Sequence, residues 1–205
     1  MNRIIVPIKP ELGHILDDSN AMYGLKHATE SGFRLQGIWT CDQYRDGYIV
    51  PVGGCMRETP NTFTTEGLSY LLRVMFWETS KAASLIWYLG IFQNNVTPAV
   101  GNVASTSLGA DGTYGVVQAT SDVDETVVEP YTTVTTATAS CTNAASKAEY
   151  TLADSMTIYG AYLTNSSDMT SVAGILMSAK KFSTARAVIA DDVLSISYVI
   201  SLTTS

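Results

Sequence analysis

The chain has 205 residues, 46% of them apolar and only 15% charged, with a formal net charge of −7. That length carries one sizeable core, and the apolar fraction excludes a disordered chain. Nucleic acid is not an expected partner: 12 Lys plus Arg stand against 19 Asp plus Glu, Lys180-Lys181 is the one adjacent basic pair, and such affinity comes mostly from neutralising phosphates.

The first 32 residues show little periodicity. IIVPI (4–8) reads as at most an edge strand, because Pro7 removes a ladder donor. SNAMYGLKHATESG (19–32) reads as a short helix ending at Gly32. The segment 1–32 is therefore expected to be an irregular arm that packs on a neighbour, with Ile4, Ile5, Val6, Ile8 and Leu12 as contacts. Its apolar run is too short, and too broken by proline, for a secretory signal. No stretch reaches the ~18 apolar residues of a membrane span, so no membrane partner is expected.

From residue 33 a β-hairpin is predicted. FRLQGIWT alternates, and Asp46-Gly47 tolerates the positive φ of a tight turn. Residues 53–63 read as loop. A helix is predicted over 64–79, where Leu68, Leu71, Leu72, Met75 and Phe76 fall on one face expected to pack on a sheet. Thr64 is placed to cap it, Glu66 to meet the helix dipole, and Phe63 and Leu68 to form a hydrophobic staple.

Everything beyond reads as β. Strands are predicted at 85–93, 113–120, 131–140, 147–153, 156–164, 173–178 and 193–203. In the last, Leu194, Ile196, Tyr198, Ile200 and Leu202 alternate with Val193, Ser195, Ser197, Val199 and Ser201. Residues 94–112 read as a long polar loop, a kind that tends to be functional or ordered by a partner. The expected fold is mainly β: an antiparallel, jelly-roll-like β-sandwich over 33–205 with one amphipathic helix on it. A surface dense in Ser and Thr suits β-structure that packs against other protein copies.

The search for chemistry returns little. His14 and His27 are the two histidines, and neither is placed by sequence beside a nucleophile. Cys41, Cys55 and Cys141 lack metal-ligand spacing and read as reduced thiols, with a Cys41–Cys55 bridge as the alternative. SDVDET (121–126) begins like a calcium loop but lacks its sixth-position Gly and terminal Glu, so a solvated acidic turn is expected. No catalytic, cofactor or metal residue is assigned. The eleven tyrosines suit core and interface, or a sugar-binding face. Near the end, Lys180 and Lys181 are expected to close a strand, and Arg186 to pair with Asp191 or Asp192 across a final hairpin turn.

Five segments, in order, carry a family resemblance: FRLQGIWT with RDG; TPNTFTTEGLSYLLRVMF; IWYLGIFQNN followed by TP; ASKAEYTLADSMTIYGAYLTNS; and GILMSAKKFSTARAVIADDVLSISYVISLT. From Phe33 onward this series resembles a family of small virion proteins of tailed bacteriophages, encoded near the major capsid gene. The resemblance implies a non-enzymatic β-rich subunit without catalytic residues to carry over. The role expected from it is a capsid cement or decoration protein, made in the host bacterial cytoplasm and bound as a dimer or trimer to the major capsid protein at the virion surface. A neck or tail subunit is the alternative, and a surface carbohydrate-binding module a lesser one. Beyond the arm, Asn94, Asn95, Val96, Tyr159 and Tyr162 are the candidate partner contacts.

Overall fold

The computed structural model describes residues 33–51, 56–58, 61–77, 86–132, 134–135 and 139–204. The arm, the helix expected at 19–32 and Cys55 lie outside them. Residues 36–201 form one compact unit; the described ends, 33–35 and 202–204, belong to a separate small one.

The fold is mainly β, two antiparallel sheets with a helix, as expected. The first sheet contains β1 (Phe33–Arg45), β2 (Tyr48–Ile49), β3 (Met56–Glu58), β7 (Val134–Thr135), β8 (Ser140–Thr142), β9 (Ala148–Thr151) and β12 (Val193–Thr204). Its order is β2-β1-β12-β8-β7, with β3 also on β1 and β9 also on β12. The second contains β4 (Thr62–Phe63), β5 (Tyr88–Phe92), β6 (Glu129–Pro130), β10 (Met156–Thr164) and β11 (Leu176–Val188). Its order is β4-β11-β10-β5-β6. The helices are α1 (Thr65–Phe76) and the single turn α2 (Ala104–Ser107).

Asp46 and Gly47 turn the first hairpin with φ of 50° and 78°, the conformation that Asp-Gly adopts most readily. The core lies between the sheets. Trp39, Tyr150, Leu194, Ile196 and Tyr198 come from the first sheet, and Leu89, Ile91, Ile158, Leu163 and Phe182 from the second. Trp39 stacks on Tyr198 with ring centroids 4.1 Å apart. The tyrosine hydroxyls bridge the layers: Tyr150 donates to the Leu89 carbonyl at 2.6 Å, and Ser178 Oγ meets Tyr198 Oη at 3.1 Å. Burial raises both phenol pKa values, so both hydroxyls stay protonated and neutral.

β12 pairs with β9 over 193–196 and with β8 over 199–201. Buried Asn143 fills the gap. Its Nδ2 donates to the Ile196 carbonyl at 3.1 Å and its Oδ1 accepts from the Tyr198 N–H at 2.7 Å. A carboxamide thus replaces one peptide of the missing ladder.

Several expectations need correction. The helix ends at Phe76, and only part of its apolar face packs: Leu68, Leu71 and Val74 are half-buried, but Leu72 and Phe76 are exposed. What seats it is Gly67, where a Cβ would stand 2.5 Å from the Met177 backbone. Residues 53–63 hold β3 and β4. The 94–112 loop builds its own core, with Tyr114 stacked on Phe92 at 4.9 Å beside Ala104, Leu108 and Val116. Glu66 ties that loop down, accepting from Ala104 N at 2.9 Å and Leu176 N at 2.8 Å. The strand predicted at 113–120 is reduced to isolated bridges at Val116 and Ala119, and 131–140 contains parts of two short strands. β11 runs unbroken through Lys180 and Lys181 to Val188. β11 and β12 lie in different sheets, so the 189–192 turn is an arch between layers and not a hairpin. On β12, Ser195 and Ser197 are buried along with Leu194, Ile196 and Tyr198, whereas Leu202 is exposed.

Candidate assembly surface

One end of the sandwich holds a buried charged latch and the other an apolar groove. At the arch, Asp192 is fully buried. Its carboxylate accepts from Arg45 Nε and Nη2, both at 2.7 Å, from Gln43 Nε2 at 2.8 Å and from the Ile189 N–H at 3.1 Å. The Arg45 bond, helped by those of Ile189 and Gln43, holds the carboxyl below its usual range against the opposing effect of burial. This latch fastens the β1–β2 hairpin to the arch. Arg186, expected to pair with Asp191 or Asp192, is instead a buried strand residue whose Nη2 donates to the Cys41 carbonyl at 3.0 Å. Lys147 pairs with Asp42 at 2.9 Å nearby. Cys41 is a free buried thiol, pushed up to about 12 chiefly by burial.

The opposite end is open and apolar. A groove of about 600 Å³ lies where both sheets meet α1. Leu71 of α1 and Ile86 and Trp87 before β5 form one side; Pro130, Tyr131 and Thr132 form another. Its floor comes from Cys141, Leu163, Met177 and Ile200, one residue each from β8, β10, β11 and β12. Tyr70 meets Trp87 edge-on with centroids 5.8 Å apart, which fixes the indole in the wall. Tyr131 Oη lies 3.0 Å from the Tyr198 carbonyl and 3.2 Å from that of Cys141, so its hydroxyl is already engaged within the fold. Leu72, Phe76 and Trp77 near the helix end are 57%, 78% and 84% exposed, and Ile86 is 51% exposed. Large aromatics of this kind are where binding energy concentrates when a partner covers them. Beside Pro130 stands Glu129, whose carboxyl is raised by partial burial and by the charges of Glu125 and Glu149.

The structure scatters the contacts expected from sequence. Asn94 and Asn95 are exposed; Asn94 is fixed by its Nδ2 bond to the Thr113 carbonyl at 3.1 Å. Val96 and Tyr159 pack against the second core cluster, and Tyr162 is buried inside it. Ile4, Ile5, Val6, Ile8 and Leu12 lie outside the described residues. The groove was missed by sequence reasoning. Its one legible signal was an apolar helix stripe too wide to be covered by the sheet. The SDVDET carboxylates serve the backbone: Asp122 accepts from Gln118 N at 2.7 Å and Glu125 from Thr151 N at 2.9 Å. Among the described residues, no three His, Cys, Asp or Glu side chains gather as metal ligands. Comparison with protein-family models, curated proteins and solved structures returns no match.

Proposed function

We propose that this chain is a non-enzymatic structural subunit of a bacteriophage virion, a cement protein that binds the outside of the major capsid protein shell and stabilises it. The observation that carries the reading is the apolar groove, with Ile86 exposed in its lining and Leu72, Phe76 and Trp77 exposed along and just after α1. An apolar groove with large apolar side chains exposed on the elements that border it suits a protein contact. The ordered series of segments resembling small virion proteins supplies the kind of assembly. The binding free energy would couple to shell stability, since a ligand that prefers the assembled state stabilises it.

The test is quantification of the band against the capsid protein in purified virions, together with particle imaging. Hundreds of copies, with density over the shell lattice, are expected. Six or twelve copies confined to the tail vertex would replace the cement role with a neck or tail role. Absence from the particle would end both.

A further inference from the structure

The groove is recognised by shape and apolar area. Its buried hydroxyl, that of Tyr131, already has internal partners, so a small polar molecule would find few directing groups there. Its volume falls within the roughly 300–1,000 Å³ of binding sites that enclose a ligand. The matching occupant is an apolar segment.

The chain contains such a segment. Arg3 and Lys9 flank Ile4, Ile5, Val6, Pro7 and Ile8. Pro7 makes the run a poor interior strand and leaves its apolar side chains in need of another surface. The connection from Ile8 to Phe33 could extend roughly 80 Å at full stretch, so reaching another molecule requires no change in the sandwich. A second copy offers both an arm and a groove, and reciprocal exchange would bury two sets of apolar side chains in one closed dimer.

We propose that the groove of one copy receives Ile4, Ile5, Val6 and Ile8 of a second copy. The proposal rests on reading the groove as an assembly surface, but not on a capsid shell as the destination.

The experiment uses the full chain and measures mass in solution by light scattering across a dilution series. Wild type is expected to be a dimer. Ile5→Asp in the arm and Ile86→Asp in the groove should each weaken self-association at least about a hundredfold, the scale of losing a hot-spot contact. Mixed together they should form a one-to-one heterodimer, because one intact arm then meets one intact groove. Circular dichroism checks folding. Ile5→Asp leaves the sandwich sequence untouched and keeps the test decisive if Ile86→Asp does not fold.

A wild-type monomer at every concentration would overturn the proposal, as would variants that associate normally or a mixture that fails to pair. Monomers that still bind purified shells would sink arm exchange and leave the proposed function standing. Dimers that ignore shells would do the reverse.

Discussion

The arch end and the groove end of the sandwich are formed by the same strands and solve opposite problems. At the arch, the chain must cross between sheets, and a buried carboxylate with four hydrogen bonds fastens the crossing. At the groove, residues of both sheets, of α1 and of the segment before β5 leave an open apolar lining. The difference teaches where this fold is complete on its own. Most polar groups buried at the arch find partners within it, although Gln43 Oε1 does not. Apolar surface can wait for a partner, because leaving it in water costs free energy without breaking a hydrogen bond.

The sharpest way to probe the contrast is thiol chemistry. With its pKa near 12, Cys41 would be thiolate to roughly one part in 10,000 at pH 8, which makes it a very poor nucleophile. Cys141 lies half-buried in the groove lining. Alkylation of the native protein, read by peptide mass mapping, should label Cys141 at least about a hundredfold faster than Cys41. Equal rates would mean that the arch end opens as readily as the groove end.

Breaking the latch comes next. Asp192→Ala should cost about 3 kcal/mol in chemical denaturation, since Gln43 and the Ile189 N–H lose a charged acceptor in a buried place. Arg45 is 40% exposed, so solvent takes over part of its role and keeps the loss from being larger. A loss below 1 kcal/mol would show the latch to be incidental. At the other end, Gly67→Ala should cost about 2 kcal/mol, because its methyl group would push α1 off the Met177 backbone. An unchanged denaturation midpoint would mean that α1 is not seated through Gly67.

Acid should discriminate the ends more gently. The folded-state pKa of Asp192 is lowered, so its contribution is present above the unfolded value and is lost as pH falls through the folded one. Wild-type stability should therefore decline below about pH 4, and Asp192→Asn should remove part of that decline. Identical acid profiles would dissociate the latch from acid sensitivity. The smallest expected effect belongs to the exposed stripe: Leu72→Ser and Trp77→Ser should each change stability by no more than about 0.5 kcal/mol. A large loss from either would place these side chains in the fold and not on an assembly surface.

Much of the architecture was legible because its signals are local. Alternation placed β1 and β12, Asp46-Gly47 placed the first turn, and Thr64 caps α1 through its bond from the Gly67 N–H at 3.0 Å. The 94–112 segment was misread because its order depends on Glu66 and Phe92, residues outside the loop whose proximity no local pattern reveals. The closing charge cluster was misread for a related reason. Arg186 is six residues from Asp192 in sequence, but Arg45, 147 residues away, is the one that binds it.

By itself, then, the sequence determined a mainly β chain with one capped helix and a low-charge acidic composition, since periodicity, turn chemistry and composition act over a few residues. Only the tertiary structure decided that the last two strands belong to different sheets, that Tyr162 is core, that Asp192 closes one end and that the other end is a groove. Those outcomes depend on which distant side chains share a space, and that is settled when the two sheets pack.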